Sequence, residues 1–386
     1  MRRLGIYIHI PFCLRKCGYC DFYSFRCVSP EREEQYVDAL CKHIAFECSL
    51  LDGYEADTVF LGGGTPSILT TQSMDKIFQT LRESIKIKED AEITVEANPG
   101  TVTREKLECY MRNGINRLSI GMQSTKDSEL SRLGRAHTFK DFEESYRLAR
   151  ECGFKNISVD VMFALPDQDL EGFVETLDRV CELDPEHISV YCLKIEEGTF
   201  FYDIKENLAL PSDEEQYEMY TTMCELLEKR GWRQYEISNF AKKGYRSRHN
   251  LKYWLSQEYI GFGPSAYSFV AGVRYHYPAD INSFIEQAQL GLVESEIDEV
   301  VKKDNDDSEE ALINEINEYV MLKLRLNEGV SCEEFYEEFG YNFEAMYYKI
   351  EKYTRTGHVI KRDGRYFFSP KGFFVSNHIL ADILYQ

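Results

Sequence analysis

The chain has 386 residues, a formal net charge of −21, and 43% hydrophobic and 13% aromatic residues. This length allows two or three domains with sizeable cores, and the acidic balance argues against a nucleic-acid partner, since nucleic-acid binders carry a basic face. The net charge does not exclude a local basic patch, and one such cluster comprises Lys242, Lys243, Arg246 and Arg248. Twelve cysteines without a signal peptide or a membrane-spanning apolar run predict a cytoplasmic protein.

The first half of the chain alternates short apolar runs with amphipathic helical stretches. Six strands are predicted, at Gly5–Ile10, Thr58–Leu61, Ile93–Ala97, Arg117–Gly121, Ile157–Phe163 and Ile188–Leu193. Helices are predicted at Pro30–Leu51, Thr71–Ile85, Arg104–Asn113, Lys126–Leu133, Phe139–Cys152 and Leu170–Leu183. This alternation is typical of a parallel sheet covered by helices. Six rounds fall short of an eight-stranded barrel, so we predict an α/β fold with a partial (β/α)6 barrel over residues 1–210.

From Pro211 the pattern changes, and residues 211–302 are predicted to form an extension with a helix at Glu214–Lys229 and an aromatic, glycine-rich region of loop and strand. The acidic run Lys303–Glu310 predicts a solvated boundary or, equally, a helix N-terminus capped by Ser308.

Residues 303–386 are predicted to form a C-terminal, mostly helical domain that resembles a small winged helix. Helices are predicted at Ala311–Leu326, Cys332–Phe339 and Phe343–Arg355, followed by a hairpin at Asp363-Gly364 and a last helix. Winged helices often bind DNA, but the acidic charge favours a packing or protein-interaction role.

Three cysteines, Cys13, Cys17 and Cys20, follow the first predicted strand within eight residues. A structural zinc site wants four protein ligands, and no fourth cysteine or histidine follows at the usual spacing. A four-iron cluster tolerates an open iron when three cysteines are supplied. The spacing therefore favours an iron–sulfur cluster whose open iron binds a small molecule, with structural zinc as the alternative.

Other distinctive residues follow the next three strands, where the chemistry of barrel folds is placed. They are Gly62-Gly63-Gly64, Glu96-Ala97-Asn98-Pro99 and Gln123. A glycine run lets the backbone approach a ligand closely, although a flexible turn is the plainer interpretation. Thr65-Pro66 after the run favours the ligand site.

The order Cys13-x3-Cys17-x2-Cys20, then Gly62-Gly63-Gly64-Thr65-Pro66, resembles the radical S-adenosylmethionine (SAM) superfamily. This resemblance implies a [4Fe–4S] cluster on the three cysteines, with SAM bound to the open iron through its amino and carboxylate groups. It also implies an electron donor such as a flavodoxin or ferredoxin.

Tyr7-Ile8-His9-Ile10-Pro11-Phe12-Cys13 is similar to the start of one branch, the oxygen-independent coproporphyrinogen oxidase-like proteins. The resemblance implies SAM contacts for Tyr7, Tyr19, Gly63, Gly64, Thr65, Glu96, Gln123, Arg135 and Asp160. It assigns no catalytic residue. The alternatives are an ordinary ion pair between Arg135 and Asp160, and helix capping by Gln123.

Two departures separate this chain from the oxidases of that branch, which carry a fourth cysteine two residues after the third and an extension before the first strand. Here that position is Phe22, and twelve residues precede Cys13. The run His249–Trp254 instead resembles a signature of haem chaperones within the branch. It implies haem bound at His249, since imidazole is a common axial ligand.

The resemblance to haem chaperones implies partners as well: an apo-haemoprotein acceptor, peripheral contact with membrane haemoproteins, and a second copy in a homodimer. The alternative function is oxidative decarboxylation of coproporphyrinogen III in porphyrin biosynthesis. A remoter one is RNA modification, which the acidic charge opposes.

Overall fold

The computed structural model describes residues 1–26, 29–300 and 309–384. Cys27, the predicted domain boundary at 302/303 and the capping role of Ser308 lie outside these ranges. The strands are β1 (Arg2–Ile10), β2 (Phe12–Cys13), β3 (Phe25–Arg26), β4 (Tyr54–Gly63), β5 (Ile87–Ala97), β6 (Arg117–Gln123), β7 (Ile157–Phe163), β8 (His187–Cys192), β9 (Arg233–Gln234), β10 (Asn239–Ala241), β11 (Tyr259–Phe262), β12 (Tyr267–Val270), β13 (Val273–His276), β14 (Glu296–Val300), β15 (Val330–Ser331), β16 (Val359–Arg362) and β17 (Arg365–Phe368).

The helices of the first 300 residues are α1 (Pro30–Ser49), α2 (Thr71–Ser84), α3 (Arg104–Arg112), α4 (Asp127–Leu133), α5 (Phe139–Glu151), α6 (Leu170–Glu182), α7 (Phe200–Asp203), α8 (Asp213–Arg230), α9 (Arg248–Trp254) and α10 (Ile281–Leu290). Those after residue 308 are α11 (Glu309–Leu324), α12 (Cys332–Phe339), α13 (Phe343–Met346), α14 (Ile350–Arg355), α15 (Pro370–Phe374) and α16 (Ser376–Ile383). Two short 3-10 turns lie at Pro66–Ile68 and Lys205–Asn207.

The six predicted barrel strands are confirmed as neighbours in chain order. β1, β4, β5, β6, β7 and β8 pair in parallel, each with the next. Strands of the extension join both edges of this sheet: β11 pairs in parallel with β1, and β10 pairs antiparallel with β8. Within the described ranges β1 and β8 therefore do not pair with each other, because each pairs with a strand of the extension instead. This open arrangement is expected of a partial barrel.

The sheet has an apolar outer face and a polar inner face. Along β1, Leu4, Ile6 and Ile8 are fully buried in the hydrophobic core with the helices, whereas Tyr7 and His9 alternate with them and point to the opposite side. The same alternation on β4 to β8 gives an inner face that carries Thr58, Phe60, Thr94, Glu96, Arg117, Ser119, Ser158, Asp160, His187 and Ser189.

Helix α9 closes the N-terminal end of the inner face, and sequence periodicity did not predict it. Ser247 caps this seven-residue helix by accepting a hydrogen bond from the Asn250 N–H at 3.3 Å. A buried ion pair of 2.7 Å between Lys252 and Asp57 attaches the helix beside β4. A seven-residue helix is too short to give a clear apolar period, so tertiary contacts decide its formation.

The C-terminal region runs helix, strand, helices and hairpin around a three-stranded sheet of order β15-β17-β16. The predicted hairpin is confirmed, with Asp363 and Gly364 both at positive φ, as a two-residue turn requires. The predicted helix over Phe343–Arg355 is divided at Tyr347. The buried Tyr347 ring stacks on Phe343, and its hydroxyl donates to Asn317 at 2.9 Å. These contacts hold Tyr347 in place where the helix is interrupted.

Most of the basic cluster of the extension is engaged within the molecule. Lys242 forms an ion pair with Asp184 at 2.6 Å, and Arg246 forms one with Glu328 from the C-terminal region. Arg248 donates to the carbonyl of Asp90 at 2.6 Å. These cations therefore stabilise the packing of neighbouring segments.

Candidate cluster and cofactor site

The three cysteines follow β1 at the C-terminal edge of the barrel sheet, with Cys13 at the end of β2 and Cys17 and Cys20 on the loop after it. The Gly18 N–H donates to the Leu133 carbonyl at 3.0 Å, and the Gly18 carbonyl accepts from the Phe201 N–H at 2.8 Å. A Cβ at Gly18 would lie 2.6 Å from the Phe201 ring, so this close packing requires glycine. The loop that carries Cys17 and Cys20 is thus held by two separate segments of the chain.

The glycine run holds this loop against β4. The Gly64 N–H donates to the Ile10 carbonyl at 2.8 Å, and the Thr65 N–H donates to the Phe12 carbonyl at 2.7 Å. A Cβ at Gly64 would lie 2.6 Å from the Phe12 oxygen. The plainer interpretation of the run, a flexible turn, does not apply to Gly62 and Gly63, because both belong to β4 and pair with β1.

A chain of hydrogen bonds joins two of the cysteines. The Thr65 hydroxyl donates to the Cys13 sulfur at 3.4 Å and accepts from Nδ2 of Asn98 at 2.7 Å. Nη2 of Arg135 donates to Oδ1 of Asn98 at 2.5 Å, and Nη1 donates to the Cys17 sulfur at 3.6 Å. Three segments that are far apart in the chain therefore meet at the cysteine loop.

Residues at the end of β6 lie next to these hydrogen-bonded side chains. Gln123 has a positive φ of 70°, uncommon for a residue with a Cβ. A Cβ at Gly121 would lie 3.0 Å from both the Gln123 amide nitrogen and Arg135, and 3.1 Å from Asn98. Three polar side chains thus converge on the space over Gly121, and strained backbone of this kind is frequent at binding sites.

Tyr19, predicted as a SAM contact from its place in the cysteine loop, lies beside Arg135. Burial raises the pKa of its hydroxyl, although the Arg135 charge acts in the opposite direction. Its ring packs against Phe201 at a centroid distance of 6.4 Å. Tyr19 therefore forms one wall of the space beside Cys17.

Glu96 and Asp160 lie deeper on the inner face. Glu96 accepts from the Gly63 N–H at 3.2 Å, and burial, with the nearby Asp160 charge, raises its pKa to about 8. Asp160 accepts from Ser119 at 3.1 Å and from Ser158 at 3.3 Å, and burial also raises its pKa. The Asp160 charge thus disfavours ionisation of Glu96 in the same direction as burial does.

Tyr7 is oriented by His9, which lay within the motif but was not predicted as a site residue. His9 Nε2 lies 2.8 Å from the Tyr23 carbonyl, which accepts only, so Nε2 carries the proton. Nδ1 then accepts a hydrogen bond from the Tyr7 hydroxyl at 3.1 Å. Burial lowers the His9 pKa to about 4, so the ring is neutral. The available signal in the sequence was the position of His9 two residues after Tyr7 on one strand, which places both side chains on the same face.

His249 lies at the opposite, N-terminal end of the inner face. The ring is buried, with Nδ1 2.8 Å from the Thr58 hydroxyl and Nε2 2.9 Å from the Tyr253 hydroxyl. It stacks on Phe60 at a centroid distance of 5.2 Å, and burial lowers its pKa to about 3. Because both ring nitrogens are hydrogen-bonded, this conformation does not fit axial ligation of haem.

The plainer alternatives for two predicted residues are not seen in the described part of the chain. Arg135 bonds to Asn98, to Cys17 and to the Gly121 carbonyl at 2.8 Å, whereas Asp160 bonds to serines. Helix α4 has Lys126 at its N-cap position and no side-chain cap. Arg135 and Gln123 therefore remain available for a ligand role.

The residues present fit a cluster with SAM. Three soft sulfur donors share one loop, a donor set suited to iron–sulfur clusters. Nε of the buried Arg135 has no hydrogen-bond partner in the described residues and lies beside the cysteine loop. No three His, Cys, Asp or Glu side chains within those residues converge on a single metal ion, an arrangement that a cluster with several irons does not need.

Comparison with protein families agrees with this geometry. The family model described as Radical SAM superfamily matches residues 7–180, and that of the HemN C-terminal domain matches residues 311–375. Fold and cysteine loop thus define a radical SAM protein with a HemN-type C-terminal domain. The chain is 34% identical over 383 residues to Heme chaperone HemW of Bacillus subtilis (strain 168), covering 98% of each chain. The chain belongs to the HemW family.

Two further similarities span much of the chain. Heme chaperone HemW of Escherichia coli (strain K12) is 40% identical over 267 residues, which cover 69% of this chain and 70% of that protein. The solved structure of coproporphyrinogen III oxidase (HemN) from Escherichia coli matches with a TM-score of 0.84 at 22% identity, over 99% of this chain and 90% of that one. At this identity the structural match shows a shared fold.

A further finding concerns the helices. None of those in the described ranges combines the length and the apolar character that crossing a membrane would require.

Proposed function

We propose that this protein is a cytoplasmic haem-binding chaperone that carries a [4Fe–4S] cluster on Cys13, Cys17 and Cys20, with SAM on the open iron. The main support is similarity across nearly the whole chain to relatives named Heme chaperone HemW. For the cluster, the support is the chain of hydrogen bonds that reaches Cys13 and Cys17 from Thr65 and Arg135.

The SAM site in this proposal is the space between the cysteine loop and the inner face. Its walls are Tyr7, Tyr19, Gly63, Gly64, Thr65, Glu96, Gln123, Arg135 and Asp160. Tyr7 donates to His9, so its oxygen offers only acceptor positions to a ligand. When bound next to a reduced cluster, SAM supplies a 5′-deoxyadenosyl radical, and the chain's residues orient the molecule and exclude water.

Haem is the cargo in this proposal, and His249 is its proposed contact. Ligation through Nε2 requires loss of the 2.9 Å hydrogen bond to Tyr253, and ligation through Nδ1 requires loss of the 2.8 Å bond to Thr58. Haem contact at His249 therefore requires a movement of Tyr253 or of the rest of α9.

The proposed partners follow from this role. They are an apo-haemoprotein acceptor, including membrane haemoproteins approached peripherally, an electron donor such as a flavodoxin or ferredoxin, and a second copy in a homodimer. We also propose a division into residues 1–210, 211–302 and 303–386. The second segment supplies both β11, beside β1, and β10, beside β8.

A second candidate function is oxidative decarboxylation of coproporphyrinogen III, and the specific observation in its favour is the fold shared with HemN. The position two residues after Cys20 is occupied by Phe22, which is 67% exposed and offers no thiolate. Anaerobic turnover with coproporphyrinogen III, SAM and a reductant distinguishes the two functions. Formation of protoporphyrinogen would favour the enzyme.

Haem transfer tests the chaperone function directly. The cluster-loaded protein, prepared anaerobically and saturated with haem, is mixed with an apo-haemoprotein, and the absorbance of the acceptor is followed. We expect transfer faster than from free haem at equal concentration, because a chaperone holds haem in monomeric form. Absence of haem binding would contradict the proposal.

A further inference from the structure

We propose that Asn98 is a positioning residue for the cluster, joining the groups that donate hydrogen bonds to Cys13 and to Cys17. This inference rests on the proposed function, in which these cysteines hold a four-iron cluster. It adds a residue that the SAM contacts predicted from the sequence do not include, and it assigns that residue to the cluster itself.

The nitrogen and the oxygen of the Asn98 amide bind different partners. Nδ2 donates to the Thr65 hydroxyl oxygen at 2.7 Å, and Oδ1 accepts from Nη2 of Arg135 at 2.5 Å. The orientation of the amide is fixed by its partners, because a guanidinium can only donate. Thr65 in turn donates to the Cys13 sulfur, and Arg135 donates to the Cys17 sulfur.

An amide is the side chain that these partners require. A hydroxyl has one proton, and because Asn98 donates to the Thr65 oxygen, that proton remains for Cys13. A carboxylate at position 98 would accept from Thr65 instead and take the proton away from the sulfur. An alanine would leave Thr65 without a donor and Arg135 without this acceptor. The aspartate and alanine variants therefore perturb the same bridge in different ways.

The backbone holds Asn98 rigidly at the end of β5. Its N–H donates to the Ser67 hydroxyl at 3.1 Å, and its carbonyl accepts from the Thr101 N–H at 3.1 Å and from the Thr101 hydroxyl at 2.7 Å. Pro99 follows directly, and the fixed φ of proline restricts the chain further. The amide is thus preorganised for its two partners.

Hydrogen bonds to cysteine sulfurs are one of the factors that set the reduction potential of an iron–sulfur cluster. A bond to the sulfur stabilises the extra negative charge of the reduced state, so its loss moves the potential to more negative values. Asn98 controls one such bond through Thr65 and orients the donor of another, Arg135. We therefore expect the potential of the cluster to respond to Asn98, although its side-chain hydrogen bonds within the described residues go to Thr65 and Arg135 and not to a cysteine.

The test compares wild type, Asn98→Asp, Asn98→Ala and Asn113→Ala after anaerobic cluster reconstitution. Asn113 is the matched control, since its amide also accepts from an arginine, Arg82, and donates to Asp75, away from the cysteine loop. Iron content, thermal unfolding and the midpoint potential, followed by electron paramagnetic resonance, are measured for each protein.

We expect both Asn98 variants to fold, to retain iron, and to show a more negative midpoint potential, with the larger shift in Asn98→Asp because it also adds negative charge. Asn113→Ala is expected to keep the wild-type potential. Wild-type potentials in both Asn98 variants, or an equal shift in Asn113→Ala, would overturn the positioning role alone. Wild-type protein without four irons would overturn the proposed function, and the bridge with it.

Discussion

Arg135 donates a hydrogen bond from Nη1 to the sulfur of Cys17 across 3.6 Å, although the two residues are 118 positions apart in the chain. The same guanidinium binds Asn98 and the Gly121 carbonyl. A buried cation in this place would offset the negative charge of cysteine thiolates. The contact also ties the cysteine loop to the segment that follows α4.

Replacing Arg135 tests its proposed role in SAM binding beside the cysteine loop. We expect Arg135→Met to weaken SAM binding by about 10- to 100-fold, the value of a hydrogen bond to a charged group. Arg135→Lys keeps the charge but not the fork of donors, so it restores binding only in part. Equilibrium binding of SAM to the reconstituted protein measures the effect. Arg132→Met is the control, since Arg132 pairs with Asp167 at the surface; equal losses in both variants would contradict a specific role.

The three-cysteine ligand set predicts a strict dependence on Cys17. Anaerobic reconstitution should load one four-iron cluster in wild type and none in Cys17→Ala, because two sulfurs cannot hold the cluster stably. Iron and sulfide analysis with absorbance spectra checks this. Cys152 is the matched control. Its sulfur also accepts from an arginine, Arg104, at 3.6 Å, but this contact joins the end of α5 to the start of α3. Full loading of Cys17→Ala would show that the metal site is misassigned.

The raised pKa of Glu96 predicts that the stability of the protein depends on pH. Its pKa of about 8 lies above the unfolded value near 4.5, so the native protein binds the extra proton between these values and its stability falls as pH rises toward 8. Burial and Asp160 raise the pKa, and Arg117 opposes them. Two hydroxyls also face this carboxyl, those of Tyr7 and Tyr253.

Glu96→Gln removes this titration, so its advantage in free energy of unfolding over wild type should grow from pH 6 to pH 8. One proton limits the slope to about 1.4 kcal/mol per pH unit. Anaerobic urea unfolding at both pH values measures it. Glu55→Gln is the control. The hydrogen bond to Lys86 lowers the pKa of Glu55, so this carboxyl group does not titrate between pH 6 and pH 8. A difference independent of pH would refute the buried, protonated Glu96.

The predicted haem contact at His249 has its own test. His249→Ala should lose the haem spectrum of wild type, whereas Tyr253→Phe frees Nε2 of His249 from its hydrogen bond and should bind haem at least as tightly. Titration with haem, followed in the Soret region, compares the three proteins. Equal spectra for wild type and His249→Ala would remove His249 from the haem site.

The buried ion pair between Lys252 and Asp57 predicts a large effect on stability. Lys252→Met leaves the Asp57 carboxylate buried without its partner, which costs about 3–5 kcal/mol of unfolding free energy. Replacing both residues, as Asp57→Leu with Lys252→Met, should recover most of this loss. Chemical unfolding of the three proteins measures it. A small loss in the single variant would mean that α9 is not held by this pair.

The barrel could be predicted because its strands and helices follow local rules. The apolar runs from Ile157 to Phe163 and from Ile188 to Leu193 are typical of covered parallel strands, and their alternation with amphipathic helices determines the order of the sheet. Helix α9 could not be predicted in this way. Its seven residues have no clear period, and it forms because His249 and Lys252 find buried partners on β4.

By itself, the sequence determined the alternation of strands and helices and the spacing of Cys13, Cys17 and Cys20, since both are properties of neighbouring residues. Only the tertiary structure decided that Asn98 lies between Thr65 and Arg135, and that both ring nitrogens of His249 are already hydrogen-bonded. Such contacts join strands that are far apart in the chain, and no local period or spacing records which side chains will meet across a folded sheet.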